Sequence, residues 1–152
     1  MKVYYKEWKS VLPWSLDKTW HFFSRPENLQ KMMPSDMRFE ILSDLKDVEM
    51  YEGMMVLYKV APLFGFNLRW CTEITKIQDK KYFVDDQRFG PYAMWHHEHH
   101  FKALEKGGVE MIDKLHYAIP FGVLGRVANS LFVSKKIEEI FKTREEFIVA
   151  QK

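Results

Sequence analysis

The sequence predicts an α+β fold: a curved antiparallel sheet of about seven strands, with two short helices after the first strand, wrapped around a long C-terminal helix. Three features carry this expectation. The N-terminal stretch VYYKEWKSVL is aromatic, β-branched and partly alternating. Six further short strand-like segments then follow in series, divided by tight turn residues. After Pro120 and Gly122 the apolar spacing becomes helical.

The elements follow in order. Val3 to Leu12 reads as a strand, ended by Pro13. Leu16, Trp20 and Phe23 lie at i, i+4 and i+7, which predicts a short helix with Asp17 in its first turn. Pro26 followed by Glu27 starts a second helix, closed by Pro34. The six later strands are expected over residues 38–42, 54–60, 67–77, 81–89, 94–104 and 110–117. Val133, Ile137, Ile140 and Phe141, extended by Phe147 and Ile148, form the apolar stripe of the final helix. Lys135, Glu139, Lys142 and Glu146 form its charged face.

A sheet with one buried face needs a cover, and this helix is the one element able to supply it. One helix covers a wide sheet incompletely, and the gap is the setting for a small-molecule pocket.

Composition narrows the function classes. A chain of 152 residues suits one domain over residues 1–152. Lys and Arg number 23 against 21 Asp and Glu, without a basic cluster, which argues against nucleic acid as a partner. No apolar run approaches the length of a membrane span, and the N-terminus has no signal-peptide core. The single cysteine, Cys71, fits a reducing compartment, so a cytoplasmic location is expected. Aromatic residues reach 16% and methionines number nine, enough for a large core or for the lining of a cavity.

Four of the six histidines fall in the segment WHHEHHF, residues 95–101. Alternation puts Trp95, His97, His99 and Phe101 on one face, expected to be the inner one because it holds both aromatics. His96 and His100 share the other face with Glu98 and are expected at the surface. A three-residue turn, Lys106-Gly107-Gly108, would pair Glu105 with Val109 and set Asp113 diagonally from His99.

An inward carboxylate beside two histidines has three readings. It can orient His99 within a polar patch that contacts a ligand. It can take part in general acid/base chemistry. It can join His97 and His99 as a third metal ligand. The first is favoured; no metal and no cofactor are expected. Asp85 and Gln87 are read as ordinary strand polarity, Cys71 as a small buried hydrophobe, and Tyr58 and Trp70 as core or cavity lining. The apolar segments 61–66 and 119–124 are expected either to gate the pocket mouth at Gly65 and Gly122 or to pack as a plug.

Taken together, Gly90-x4-Trp95-x-His97-x-His99-x-Phe101, Gly107-Gly108-x4-Asp113-x3-Tyr117-x2-Pro120, Leu124-Gly125 and Ile140-Phe141-x2-Arg144 resemble the START-like helix-grip (SRPBCC) superfamily. Asn28-Leu29, Pro34 and Trp70 fit the same pattern, so the resemblance covers nearly the whole chain. It is nearest the small bacterial ligand-binding or polyketide-cyclase-like members. The resemblance implies a cavity beneath the long helix that binds a small apolar molecule, lipid-like or aromatic. Trp95, Phe101, Tyr117, Phe121, Val133 and Ile137 would supply apolar contacts, and His97, His99 and Asp113 the orienting polar ones. The alternative is a cyclase/dehydrase-type enzyme using that polar trio. Oligomeric state is left open.

Overall fold

The computed structural model describes residues 1–61 and 65–151. Seven strands form one sheet: β1 (Val3–Leu12), β2 (Glu40–Ile41), β3 (Met55–Val60), β4 (Leu68–Gln78), β5 (Tyr82–Phe89), β6 (Met94–Ala103) and β7 (Val109–Ala118). Their spatial order is β1-β7-β6-β5-β4-β3-β2, and every pairing is antiparallel. From β2 to β7 each strand pairs with the next in sequence, as expected of a meander. The first strand returns to cover the outer edge of β7. Register shifts in the β4–β5 ladder, at Cys71/Thr72 and Ile74/Lys76, bend the sheet.

After β1 the chain forms α1 (Leu16–Phe23), whose N-cap Ser15 accepts the backbone N–H of Lys18 at 3.2 Å. The second expected helix is a 3-10 helix, Pro26–Met32, with Pro26 at its start. The C-terminal helix runs unbroken through α2 (Gly122–Ala128), a π turn (Asn129–Val133) and α3 (Ser134–Val149), 28 residues in all. The π turn brings Asn129 inward, where its Oδ1 accepts a 3.0 Å hydrogen bond from Tyr117 Oη–H.

Two apolar clusters fill the concave side. One gathers Trp20, Phe23, Phe83, Phe101 and Met111 beneath the short helices; the other gathers Trp95, Leu115, Tyr117, Val133, Ile137 and Phe141 beneath the long helix. Trp8 of β1 stacks on Phe141, with centroids 3.5 Å apart and planes within 4°. Trp8 Nε1 donates to Glu138 at 3.1 Å, tying the helix to the edge of the sheet.

The β6–β7 register departs from expectation by two residues. Ala103, not Glu105, pairs with Val109, so His99 stands directly opposite Asp113. Both Gly107 and Gly108 hold left-handed φ, 89° and 90°. Pairing therefore resumes only after a five-residue connection, with Leu104 N–H bonded to Gly108 C=O at 3.0 Å. A Cβ on Gly108 would lie 2.6 Å from the Leu12 carbonyl, so the close approach requires glycine. A shift of two preserves the face, and Asp113 still points inward.

Candidate functional site

The strand ladders assemble the site before any helix is added. Directly opposed antiparallel residues share a face. One row therefore runs Phe83, His99, Asp113, Trp8 across β5, β6, β7 and β1, and the next runs Asp85, His97, Leu115. The two rows put His97 and His99 next to each other on β6, with Asp85 on β5 and Asp113 on β7 flanking them at opposite corners on the concave side. The long helix completes it. Ile137, Phe141, Arg144 and Ile148 are its buried stripe, and Arg144 takes the third position of an otherwise apolar series.

Arg144 Nη1 donates to Asp113 Oδ1 at 2.6 Å, and both side chains are under 5% exposed. His97 Nε2 lies 2.9 Å from the same oxygen. His99 Nδ1 is also 2.9 Å from it, but misaligned for a hydrogen bond, and its ring instead bonds Asp85 Oδ2 through Nε2 at 2.8 Å. His97 Nδ1 stands 3.6 Å from Asp85 Oδ2, beyond hydrogen-bond length. The two imidazole centroids are 3.8 Å apart, and His99 stacks on Phe83 at 4.2 Å.

The surroundings split the two histidines electrically. Burial, then repulsion from His99, push His97 down to about 4, so it is neutral at pH 7. Burial also opposes charge on His99, but the carboxylates of Asp113 and Asp85 outweigh it and raise its pKa. Burial likewise opposes ionisation of Asp113, yet Arg144 and the two imidazoles hold its carboxyl well below the usual range. Asp85 is lowered too, since the hydrogen bond from His99 and the nearby imidazoles overcome burial. His99, whose charged form these carboxylates favour, and Arg144 thus face Asp85 and Asp113, the kind of pairing that makes a buried ionic cluster tolerable.

This cluster forms one end of a cavity of about 110 Å³. Asp85, His97, His99 and Arg144 line its polar end, with Thr72 and Tyr58 close by. Trp70, Trp95, Phe83, Ile140 and Phe141 form apolar walls, and Leu29, Met32, Met33 and Met37 line the side toward the 3-10 helix. Methionine is unbranched and adaptable, so this side yields most readily to a guest.

Of the residues singled out in sequence, Trp95, His97 and His99 line the cavity. Asp113 stands behind the histidines. Phe101, Tyr117, Val133 and Ile137 are committed to the packed clusters and are not lining residues. Phe121 is 81% exposed, away from the cavity. It precedes α2, which occupies half of the expected 119–124 gate. Of the other expected gate, residues 62–64 lie outside the described residues.

Two members of the ionic cluster, Asp85 and Arg144, are absent from the site residues the sequence singled out. Asp85 was read as ordinary polarity, although pairing Phe83 with His99 would have aimed it inward. Arg144 lies three residues after Phe141 and seven after Ile137, on the stripe itself. Cys71 is half-buried on the opposite strand face from Trp70 and Thr72, and burial raises its thiol pKa.

No family model matches the chain, and no curated protein matches it by sequence. Its fold has solved counterparts. A Thermus thermophilus protein shares 17% identity at TM-score 0.69, covering 96% of this chain and 97% of that one. A START superfamily protein from Mycobacterium smegmatis shares 12% at TM-score 0.67, covering 99% of both. A ginseng major latex-like protein from Panax ginseng shares 11% at TM-score 0.69, covering 97% of this chain and 96% of that one. The chain has the START-like helix-grip fold its motifs led us to expect.

Proposed function

We propose that this protein binds a small, largely apolar molecule carrying an oxygen acceptor, held between the sheet and the long helix. The observation that carries the reading is the cavity itself: aromatic and methionine walls closed at one end by a buried ionic cluster. Three lining residues carry buried N–H donors without partners, Trp70 Nε1, Arg25 Nε and Arg144 Nε. An unsatisfied buried donor costs about 1–3 kcal/mol, so a guest that supplies a carbonyl, carboxylate or hydroxyl oxygen relieves that cost.

Size sets the class. At about 110 Å³ the cavity is smaller than the roughly 150 Å³ void that holds benzene. A single ring or a short branched chain is the natural guest, and a longer lipid must displace the methionine side. Trp95 and Trp70 grip the apolar body, while His97, His99 and Arg144 orient its polar end. Asp113 acts from behind as the anchor of His97, and Asp85 as that of His99. The single free thiol suits a reducing compartment, and a cytoplasmic location is part of this proposal.

The test is a thermal-shift and tryptophan-fluorescence screen of short fatty acids, aromatic acids, phenols and sterols. A guest at a hundredfold excess over its Kd stabilises the fold by about 2.7 kcal/mol. For a chain of this length that raises Tm by roughly 5–10 °C. Ile140→Trp, which narrows the cavity from the helix side, should abolish the response while the variant remains folded. Silence from every class, or an undiminished response in Ile140→Trp, would contradict the proposal.

A further inference from the structure

The cluster of His97, His99, Asp85 and Asp113 carries more than ligand orientation. Each histidine turns one ring nitrogen toward Asp113 Oδ1, at 2.9 Å in both cases. That leaves His97 Nδ1 and His99 Nε2 facing Asp85 Oδ2, at 3.6 and 2.8 Å. Among the described residues, Asp85, His97 and His99 are the one group of three such donors gathered within 4.8 Å of one another.

This is the layout of a metal centre with its supporting shell. Metal-bound histidines characteristically donate the other ring N–H to a carboxylate, which fixes tautomer and ring orientation. Here Asp113 hydrogen-bonds the His97 ring and has the free His99 Nδ1 within 2.9 Å, and Arg144 holds that carboxylate in turn at 2.6 Å. Bonds of about 2.0–2.1 Å to a tetrahedral ion separate neighbouring ligand atoms by roughly 3.3 Å. The two observed edges, 2.8 and 3.6 Å, fall on either side of that separation.

We infer that His97 Nδ1, His99 Nε2 and Asp85 Oδ2 form a three-residue site for a divalent first-row transition ion of the zinc type. Two imidazoles and one carboxylate suit such ions better than Ca²⁺ or Mg²⁺, which favour all-oxygen sets. All three ligands line the cavity, so the fourth position opens onto the space where the apolar guest is proposed to sit. An oxygen on that guest would complete the coordination. Asp113, the third ligand in the least favoured of the three sequence readings, is the supporting carboxylate, and Asp85 takes the ligand position.

The site shares the cavity of the proposed function but is tested without any apolar guest, so either reading can fail alone. Untagged protein is stripped with chelator and titrated with Co²⁺, followed by visible absorption and Zn²⁺ competition. One ion per chain is expected, with the strong d–d bands of a four- or five-coordinate site. His97→Phe, which keeps a ring beside Phe141, should eliminate those bands. Asp113→Asn should weaken binding about 10–100-fold. The outer-face variant His96→Gln/His100→Gln should bind as the parent does.

Paramagnetic NMR of the Co²⁺-loaded parent is independent of whether any variant folds. It should show two hyperfine-shifted, exchange-protected ring N–H signals, from His97 Nε2–H and His99 Nδ1–H. Absence of stoichiometric Co²⁺, lack of those two signals, or bands that vanish only in His96→Gln/His100→Gln would overturn the inference.

Discussion

Strand β6 carries one pair of histidines on each face, and the two pairs make nearly the same contacts in opposite surroundings. On the outer face His96 meets Asp86 at 2.8 Å and His100 meets Glu98 at 2.7 Å, with each imidazole 33% exposed. On the inner face His97 meets Asp113 at 2.9 Å and His99 meets Asp85 at 2.8 Å, with the imidazoles 6% and 5% exposed. Residue type, partner type and distance are matched; what differs is exposure to water and, on the inner face, Arg144 behind Asp113. Solvent screens the outer pairs until they are worth little. The inner pairs must satisfy one another, because each uncompensated charge is desolvated. Distance alone therefore says nothing about which histidines do work in this protein.

The largest effect comes from breaking the inner network at its anchor. Arg144→Met leaves Asp113 as a buried charge short of its strongest partner and should cost about 3–5 kcal/mol in urea denaturation. Replacing both partners, Arg144→Met with Asp113→Leu, should recover much of that loss. If the single variant is as stable as the parent, the inner cluster is not coupled as described.

The next effect separates the two inner histidines by pH, in protein kept free of metal by chelator. His97 has a folded pKa of about 4, below its ordinary 6.5. Between those values the unfolded chain binds a proton that the folded chain does not, so acidification through that window lowers stability. His99 has a raised folded pKa, held up by Asp85 and Asp113 beside Arg144. Its contribution is fully present below about 6.5 and is lost as pH rises through the folded value. Stability should therefore peak near pH 6.5, with limbs no steeper than about 1.4 kcal/mol per pH unit from each residue. His97→Gln should flatten the acid limb and His99→Gln the alkaline one. A profile unchanged by either substitution would erase the distinction between them.

The smallest effect belongs to the outer face. His96→Gln and His100→Gln should each change stability by no more than about 0.5 kcal/mol, read as a Tm shift of a degree or two.

Period-two alternation made the inside–outside division of these histidines legible before any coordinates, and the switch to helical spacing after Pro120 made the cover legible too. The site's membership was less so, for physical reasons. Asp85 becomes a partner of His97 and His99 only through the β5–β6 register, and bulges in neighbouring β4 show how little such register follows from composition. Asp113 was assigned the right face from the wrong turn, because a two-residue slip leaves alternation intact. Phe101, Tyr117 and Val133 read as lining from sequence because apolar residues on an inner face are equally suited to a wall and to a core. What separates them is three-dimensional: the two clusters close around them and leave the void between.

The central claim is that the void between those clusters holds a guest. Native mass spectrometry of untagged protein from its own host, sprayed from gentle buffer, tests this most directly. The account predicts a chain carrying one noncovalent small molecule, released on mild activation and missing from Ile140→Trp prepared in the same way. A chain that emerges bare under conditions preserving the fold, and stays bare after incubation with the whole guest panel, would contradict it.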